Sequence, residues 1–208
     1  MAYPTVSKPY GLQPINRVDG MPYAGATRQL PIASDYNTAI FNGDIVRFAA
    51  GGNIQKSTVT VDSTTAAANN TYGVFVGVQY VNTQGQTVQA QYYPGNAAAS
   101  SAIAYVVDDP MAAFKVVVTG SGSNTVTGVN QSAIGTNMSV RQGTGNTTTG
   151  DSEVSVYATN AQGNATALPL RVVAVVPDTN VTATTFCEVI VKLNNPQILN
   201  PKGLDYAA

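Results

Sequence analysis

Short apolar runs, several alternating with polar residues and most bounded by Gly, Pro, Asn or Asp, recur along this chain. The strongest stretch is 104–118, AYVVDDPMAAFKVVV, where two runs rich in Val and aromatic residues flank Asp108-Asp109-Pro110. β-Branched and aromatic side chains suit a half-buried pleated surface. Asp bonds nearby backbone in turns, and Pro fixes φ and removes a donor. The pattern predicts two strands joined by a short connection. Upstream, a strand over 45–48 follows the turn dipeptide Asn42-Gly43, and residues 72–80 form a second strong strand. Gly73 and Gly77 within it mark a bulge or a close backbone crossing. Residues 88–93 alternate as a third strand up to Pro94-Gly95. Downstream, brief strands are predicted over 138–142 and 153–157, and longer ones over 168–176 and 186–193. Residues 57–71 read as a polar loop or weak strand. Helical spacing reaches one turn at most, at 97–104 and 111–113. Short strands with dense turn signals predict an all-β fold, a small β-barrel or a sandwich.

The ends differ from the middle. Residues 1–31 carry Pro4, Pro9, Pro14, Pro22 and Pro31, too dense for a helix and too regular for a central strand. Tyr3, Tyr10, Leu12, Ile15, Met21, Tyr23 and Leu30 make the same segment too apolar for a disordered tail. An extended arm that packs on its own domain or on a partner fits both facts. The organisation expected is an N-terminal arm over 1–31, one barrel or sandwich domain over 32–196 and an extended tail over 197–208. No internal sequence repeat is visible, and no linker divides the middle.

Composition narrows the chemistry. Of the 208 residues, 44% are hydrophobic, enough for a core, but only 10% are charged, against a usual share of about 25%. Neutral hydrogen-bonding residues fill the surface. The net charge is −1 and no basic patch is visible, so no nucleic-acid partner is expected. No window approaches the ~18 apolar residues of a membrane helix, and no membrane partner is expected. The first residues lack an apolar run and a cleavage pattern, so the expectation is a protein made in a cytoplasm without a secretory signal. Histidine is absent, which removes Ser-His-Asp and Cys-His constellations and His-ligated metals. The single Cys187 lies in an apparent strand and reads as a buried small hydrophobe. Asp108 and Asp109 have the chemistry of calcium ligands, yet an Asp-Asp-Pro turn requires no metal. Glu153 and Glu188 are the sole glutamates, the pair a glycosidase would need, and neither sits in a motif. No cofactor is expected.

Several segments in order carry a resemblance: PYGLQPIN at 9–16, YAGATRQLPIAS at 23–34, GDIV at 43–46, GVFVG at 73–77, QYYP at 91–94, AYVVDDP at 104–110 with Phe114, LPLRVV at 168–173 and VIVKLNNP at 189–196. This ordering resembles virion structural proteins of tailed bacteriophages, notably phages of cyanobacteria and other marine bacteria, and among them capsid decoration, or cement, proteins. The resemblance implies a non-enzymatic protein on the outer surface of an expanded head, assembled in the host cytoplasm. It also implies the major capsid protein as partner and a homotrimer at local three-fold positions. The arm residues Tyr3, Tyr10, Leu12, Ile15, Tyr23 and Arg28 are the candidate capsid or inter-subunit contacts. Two other readings stay open: a phage tail or fibre module that binds host-surface glycan, and a carboxylate glycosidase.

Overall fold

The structure, a computed structural model, describes residues 6–49, 51–58, 71–95, 99–120, 125–163, 168–179, 186–194 and 196–199. Tyr3, most of the polar stretch 57–71 and the tail beyond 199 lie outside the described residues. The strands are β1 (Gln13–Arg17), β2 (Arg28–Ile32), β3 (Ile45–Phe48), β4 (Ile54–Lys56), β5 (Gly73–Val81) and β6 (Thr87–Ala90), followed by β7 (Ala99–Val107), β8 (Ala112–Thr119), β9 (Asn137–Arg141), β10 (Ser155–Gly163), β11 (Leu170–Val175) and β12 (Glu188–Leu193). Three single 3-10 turns are the only helical pieces among the described residues. The chain is all-β, as expected, and its sheets are closed. β7 begins at Ala99, where sequence spacing suggested a helical turn. Ala102 and Ala104 are small because they face into a barrel that also holds Phe75.

The strands make two rings. In the N-terminal barrel the order is β2-β4-β3-β5-β7 and back to β2, with β6 hairpinned onto the remaining half of β5. In the C-terminal barrel it is β8-β10-β9-β11-β12 and back to β8, with β1 on the remaining half of β8. Closure leaves each ring without a free edge strand.

Both rings follow one pairing scheme. With the ring strands of each barrel counted in chain order, the first and third are parallel: Ile32 pairs with Ile54 in one barrel and Val118 with Val156 in the other. The remaining neighbours are antiparallel, and their registers coincide. Phe48↔Ile54 corresponds to Val140↔Val156, Val46↔Gly73 to Met138↔Leu170, and Phe75↔Val106 to Val172↔Val191. A bulge falls at the same step, between Phe75 and Gly77 and between Val172 and Ala174. Continuing round, Ile32↔Ala102 corresponds to Val118 and Cys187, joined by an N–H···O bond of 2.9 Å. The shared scheme is invisible in the sequence because counterparts exchange volume. Phe75 shares its barrel with Gly73, Ala102 and Ala104, whereas Val172 shares its barrel with Leu170, Cys187 and Val189. Packing constrains the summed volume and leaves the individual letters free.

The barrels are joined in three ways. First, β7 and β8 run consecutively from one barrel into the other, and the arm follows them antiparallel. It pairs Gln13↔Lys115 to Arg17↔Ala112, then Arg28↔Val106 to Ile32↔Ala102. The boundary at residue 31 therefore falls inside β2, and 32–196 holds most of two rings. The prolines fit because Pro14 lies beside a bulge and Pro31 has a ladder partner on one side only, where β4 meets β2 at Ile32 alone. Second, an apolar row across β3, β5 and β7, formed by Ile45, Val74 and Val107, turns away from its own barrel and joins the C-terminal core together with Leu12. The counterpart row in the C-terminal barrel is polar: Asn137, Arg171 and Lys192, with Arg171 Nε donating to Asn137 Oδ1 at 3.0 Å.

Third, backbone bonds stitch the seam: Asn42 N to Gly150 O (3.0 Å), Ser152 N to Asn42 O (2.9 Å) and Leu12 N to Gly43 O (3.0 Å). Gly11 and Gly43 have φ of 83° and 91°, and a Cβ on Gly11 would stand 2.7 Å from Ser152 Cβ. Only glycine allows both the conformation and the approach.

Candidate functional site

The arm is where sequence placed the contacts, and its side chains divide between inside and outside. Leu12 is completely buried in the C-terminal core, so it serves this chain's own packing. Tyr10 is half-buried, donates its hydroxyl to Glu188 Oε1 and has the Lys115 ammonium 5.7 Å from its ring centroid. Lys115 Nζ is itself 3.3 Å from Glu188 Oε1. Burial, with the Glu188 carboxylate adding to it, pushes the Tyr10 phenol well above its ordinary value. Tyr23 is half-buried, with its hydroxyl donating to Ala26 O at 3.1 Å. Arg28 extends to Asp108, its Nε 2.6 Å from Oδ2.

The Asp108-Asp109-Pro110 connection is gripped from the arm. Asp108 Oδ2 also accepts from Tyr72 Oη at 2.7 Å, and Arg17 Nη1 lies 3.2 Å from Asp109 Oδ2. Asp109 Oδ1 accepts from Met111 N at 2.8 Å, the Asx-type turn its sequence predicts. Both carboxylates are thus occupied by arginine, tyrosine and backbone donors. Among the described residues no group of three His, Cys, Asp or Glu side chains is arranged to hold a metal ion.

Around this grip lies an exposed apolar cluster. Ile15, Val18, Met21 and Met111 are 40%, 38%, 60% and 36% exposed, four of the seven large apolar residues exposed among those described. Backbone bonds bring Val18, Met21 and Met111 together: Val18 N donates to Met111 O at 2.8 Å and Arg17 N to Met21 O at 3.2 Å, and Ile15 lies two residues before Arg17 on β1. Ile15 was the one member that arm composition singled out as a contact. Val18, Met21 and Met111 required knowing that the arm's turn rests on the β7–β8 connection.

A second cluster was not legible in the sequence. Asp44 is fully buried at the seam, with Lys56 Nζ 2.9 Å from Oδ2, Ser152 Oγ donating to Oδ1 at 2.6 Å and Phe41 N donating to Oδ2 at 2.9 Å. Lys56 Nζ also donates to Gly143 O at 3.3 Å. Asp44 and Lys56 belong to the N-terminal barrel and Ser152 and Gly143 to the C-terminal half, so the charge pair is a polar bolt between them. Its carboxylate and ammonium are each satisfied by further hydrogen bonds, the condition for a buried pair to be tolerated. Cys187 is buried in the C-terminal core, and burial pushes its thiol up, away from reactivity. Glu188 is engaged by Tyr10 and Lys115, while Glu153 is half-buried against Gly143 on the segment entering β10.

No family model, no curated protein and no solved structure matches this chain.

Proposed function

We propose that this chain is a capsid decoration protein. On this reading it binds the outer surface of an expanded tailed-phage head, contacts the major capsid protein and assembles as a homotrimer. It stabilises the shell against the pressure of packaged DNA without a catalytic step. The observation that carries the reading is the cluster of Ile15, Val18, Met21 and Met111, presented by a stiff two-barrel body with few charges. Exposed apolar residues gathered on one rigid face mark an interaction surface. A trimer would present three such faces at once, so individually weak contacts add up, because detachment requires all to fail together. A subunit that binds only the assembled lattice stabilises that lattice by mass action.

Heads carrying and lacking the protein are to be compared for heat-induced DNA release, with copies per particle counted in parallel. Hundreds of copies and a higher release temperature are expected, with Met21→Asp/Met111→Asp chains absent from the particle though folded. A handful of copies per particle would move the protein to the tail. Because the patch is apolar, occupancy should change little between about 50 and 500 mM salt.

A further inference from the structure

One outer face of the N-terminal barrel is neutral. Residues 63–107, which include β5, β6 and β7, contain no Asp, Glu, Lys or Arg. Side chains alternate across a strand, so Gln29 and Pro31 on β2 share this face with Ile103 and Tyr105 on β7. The registers set them in two rows, Gln29↔Tyr105↔Gly77 and Pro31↔Ile103↔Gln79. Gln29 and Pro31 are exposed, Ile103 is 38% exposed, and Tyr105 and Gln79 are half-buried. A Cβ on Gly77 would stand 3.9 Å from Tyr105 Cδ2, so the ring lies beside the bare glycine. Tyr105 Oη donates to Gln79 Oε1 at 3.2 Å, which leaves the Gln79 NH2 to donate elsewhere. The positions corresponding to Gln29, Pro31 and Ile103 in the C-terminal barrel are Lys115, Val117 and Glu188; two are charged, and Val117 and Glu188 are buried.

The face runs into a cleft of about 470 Å³, bordered by Pro31 and Ile103 and also by Ser34, Asp35 and Asn53. β2 and β4 meet at a single residue pair, Ile32↔Ile54, and the cleft opens beside it. A concave site of this size, with an apolar wall and a few convergent polar groups, has the form of a small-molecule site. Ser34 and Asp35 are exposed and Asn53 is half-buried. Among the described residues, none of these three side chains has a hydrogen bond or an ion pair, so their polar groups are available to a ligand.

We propose that this face and its cleft bind a neutral oligosaccharide. A sugar ring presents C–H groups on its faces and hydroxyls, each a donor and an acceptor, at its rim. Pro31, Ile103 and the Tyr105 ring suit the first. The Gln29, Gln79 and Asn53 amides suit the second, because an amide also donates and accepts. The Asp35 carboxylate accepts from two hydroxyls at once. No Lys or Arg lies among the residues of the two rows or the cleft, so nothing offsets the charge of an acidic sugar, and Asp35 repels it. Pro31 and Gln79 stand two strand spacings apart, about 10 Å, which suits a chain of sugars better than a single one. The cleft lies near the start of β7 and Met111 beyond its end, so an occupied cleft leaves the apolar cluster free. The inference is independent of the capsid reading.

The test is calorimetric titration of the full-length protein with a panel of uncharged hexasaccharides built from glucose, galactose, mannose or N-acetylglucosamine, and with hexalysine. At least one sugar is expected to bind with a Kd below about 1 mM. Asp35→Ala and Ile103→Asp change exposed side chains, so both should keep the wild-type Tm while binding that sugar at least about tenfold more weakly. Met21→Asp/Met111→Asp, which disables the apolar cluster, should bind it as the wild type does. The proposal is overturned if no sugar of the panel binds, if Asp35→Ala and Ile103→Asp bind as tightly as the wild type, or if the cluster variant loses binding. Hexalysine binding more tightly than every sugar would also overturn it and assign the cleft to a basic peptide.

Discussion

Tyr10 links an arm residue to a carboxylate far along the chain, and its chemistry sets a pH dependence. Its phenol is held neutral by burial and by the Glu188 acceptor, so its folded value lies above the ordinary one near 10. Stabilisation from a raised group is complete below the unfolded value and is lost as pH rises through the folded one. Tyr10→Phe should cost about 1.5–3 kcal/mol at pH 7, the range for a hydrogen bond to a charged group. The gap between wild type and variant in urea unfolding should narrow above about pH 10. A gap that stays constant to high pH would show that folding does not hold the Tyr10 phenol neutral. Sequence alone singled out Tyr10 as a candidate capsid or inter-subunit contact and Glu188 as one of two glutamates, but nothing in it joined them. Asp44 and Lys56 were still less legible, because the chain positions that complete their cluster lie in the other barrel.

At the scale of elements, most strands were readable because β-branched runs end at Gly, Pro or Asn. The turn at Asp108-Asp109-Pro110 was readable for the same reason. β1 and β2 were not: each contains a proline, and the rule that excludes proline from sheets does not apply where one side of the strand is unpaired or bulged. The consequence for the arm is energetic. Leu12 fills the C-terminal core, so Leu12→Ala should destabilise the protein by about 2–5 kcal/mol. Removal of residues 1–17 should destabilise it further, by uncovering the β8 edge. Equilibrium denaturation measures both, and an arm deletion with wild-type stability would contradict the placement of Leu12 in the core.

For the whole molecule, the two-barrel plan escaped the sequence because corresponding positions carry compensating sizes, as Phe75 and Val172 do with their neighbours. The halves share register, bulge and ring closure without sharing residue identity. The apolar row Ile45, Val74 and Val107 fastens the first barrel to the second through a face that the second barrel also possesses. Contact between unlike faces of like units is head-to-tail, and such contacts propagate without limit unless something stops them. Here the stop is chemical: on the second barrel the same row is Asn137, Arg171 and Lys192. Like the polar caps of repeat proteins, it ends the array at two units. Replacing those three residues by Ile, Val and Val should turn a discrete particle into open-ended chains, visible as concentration-dependent growth in light scattering. A variant that keeps its size at every concentration would place the terminator elsewhere. The polar row would thus keep a two-barrel body a discrete particle instead of the first segment of a fibre.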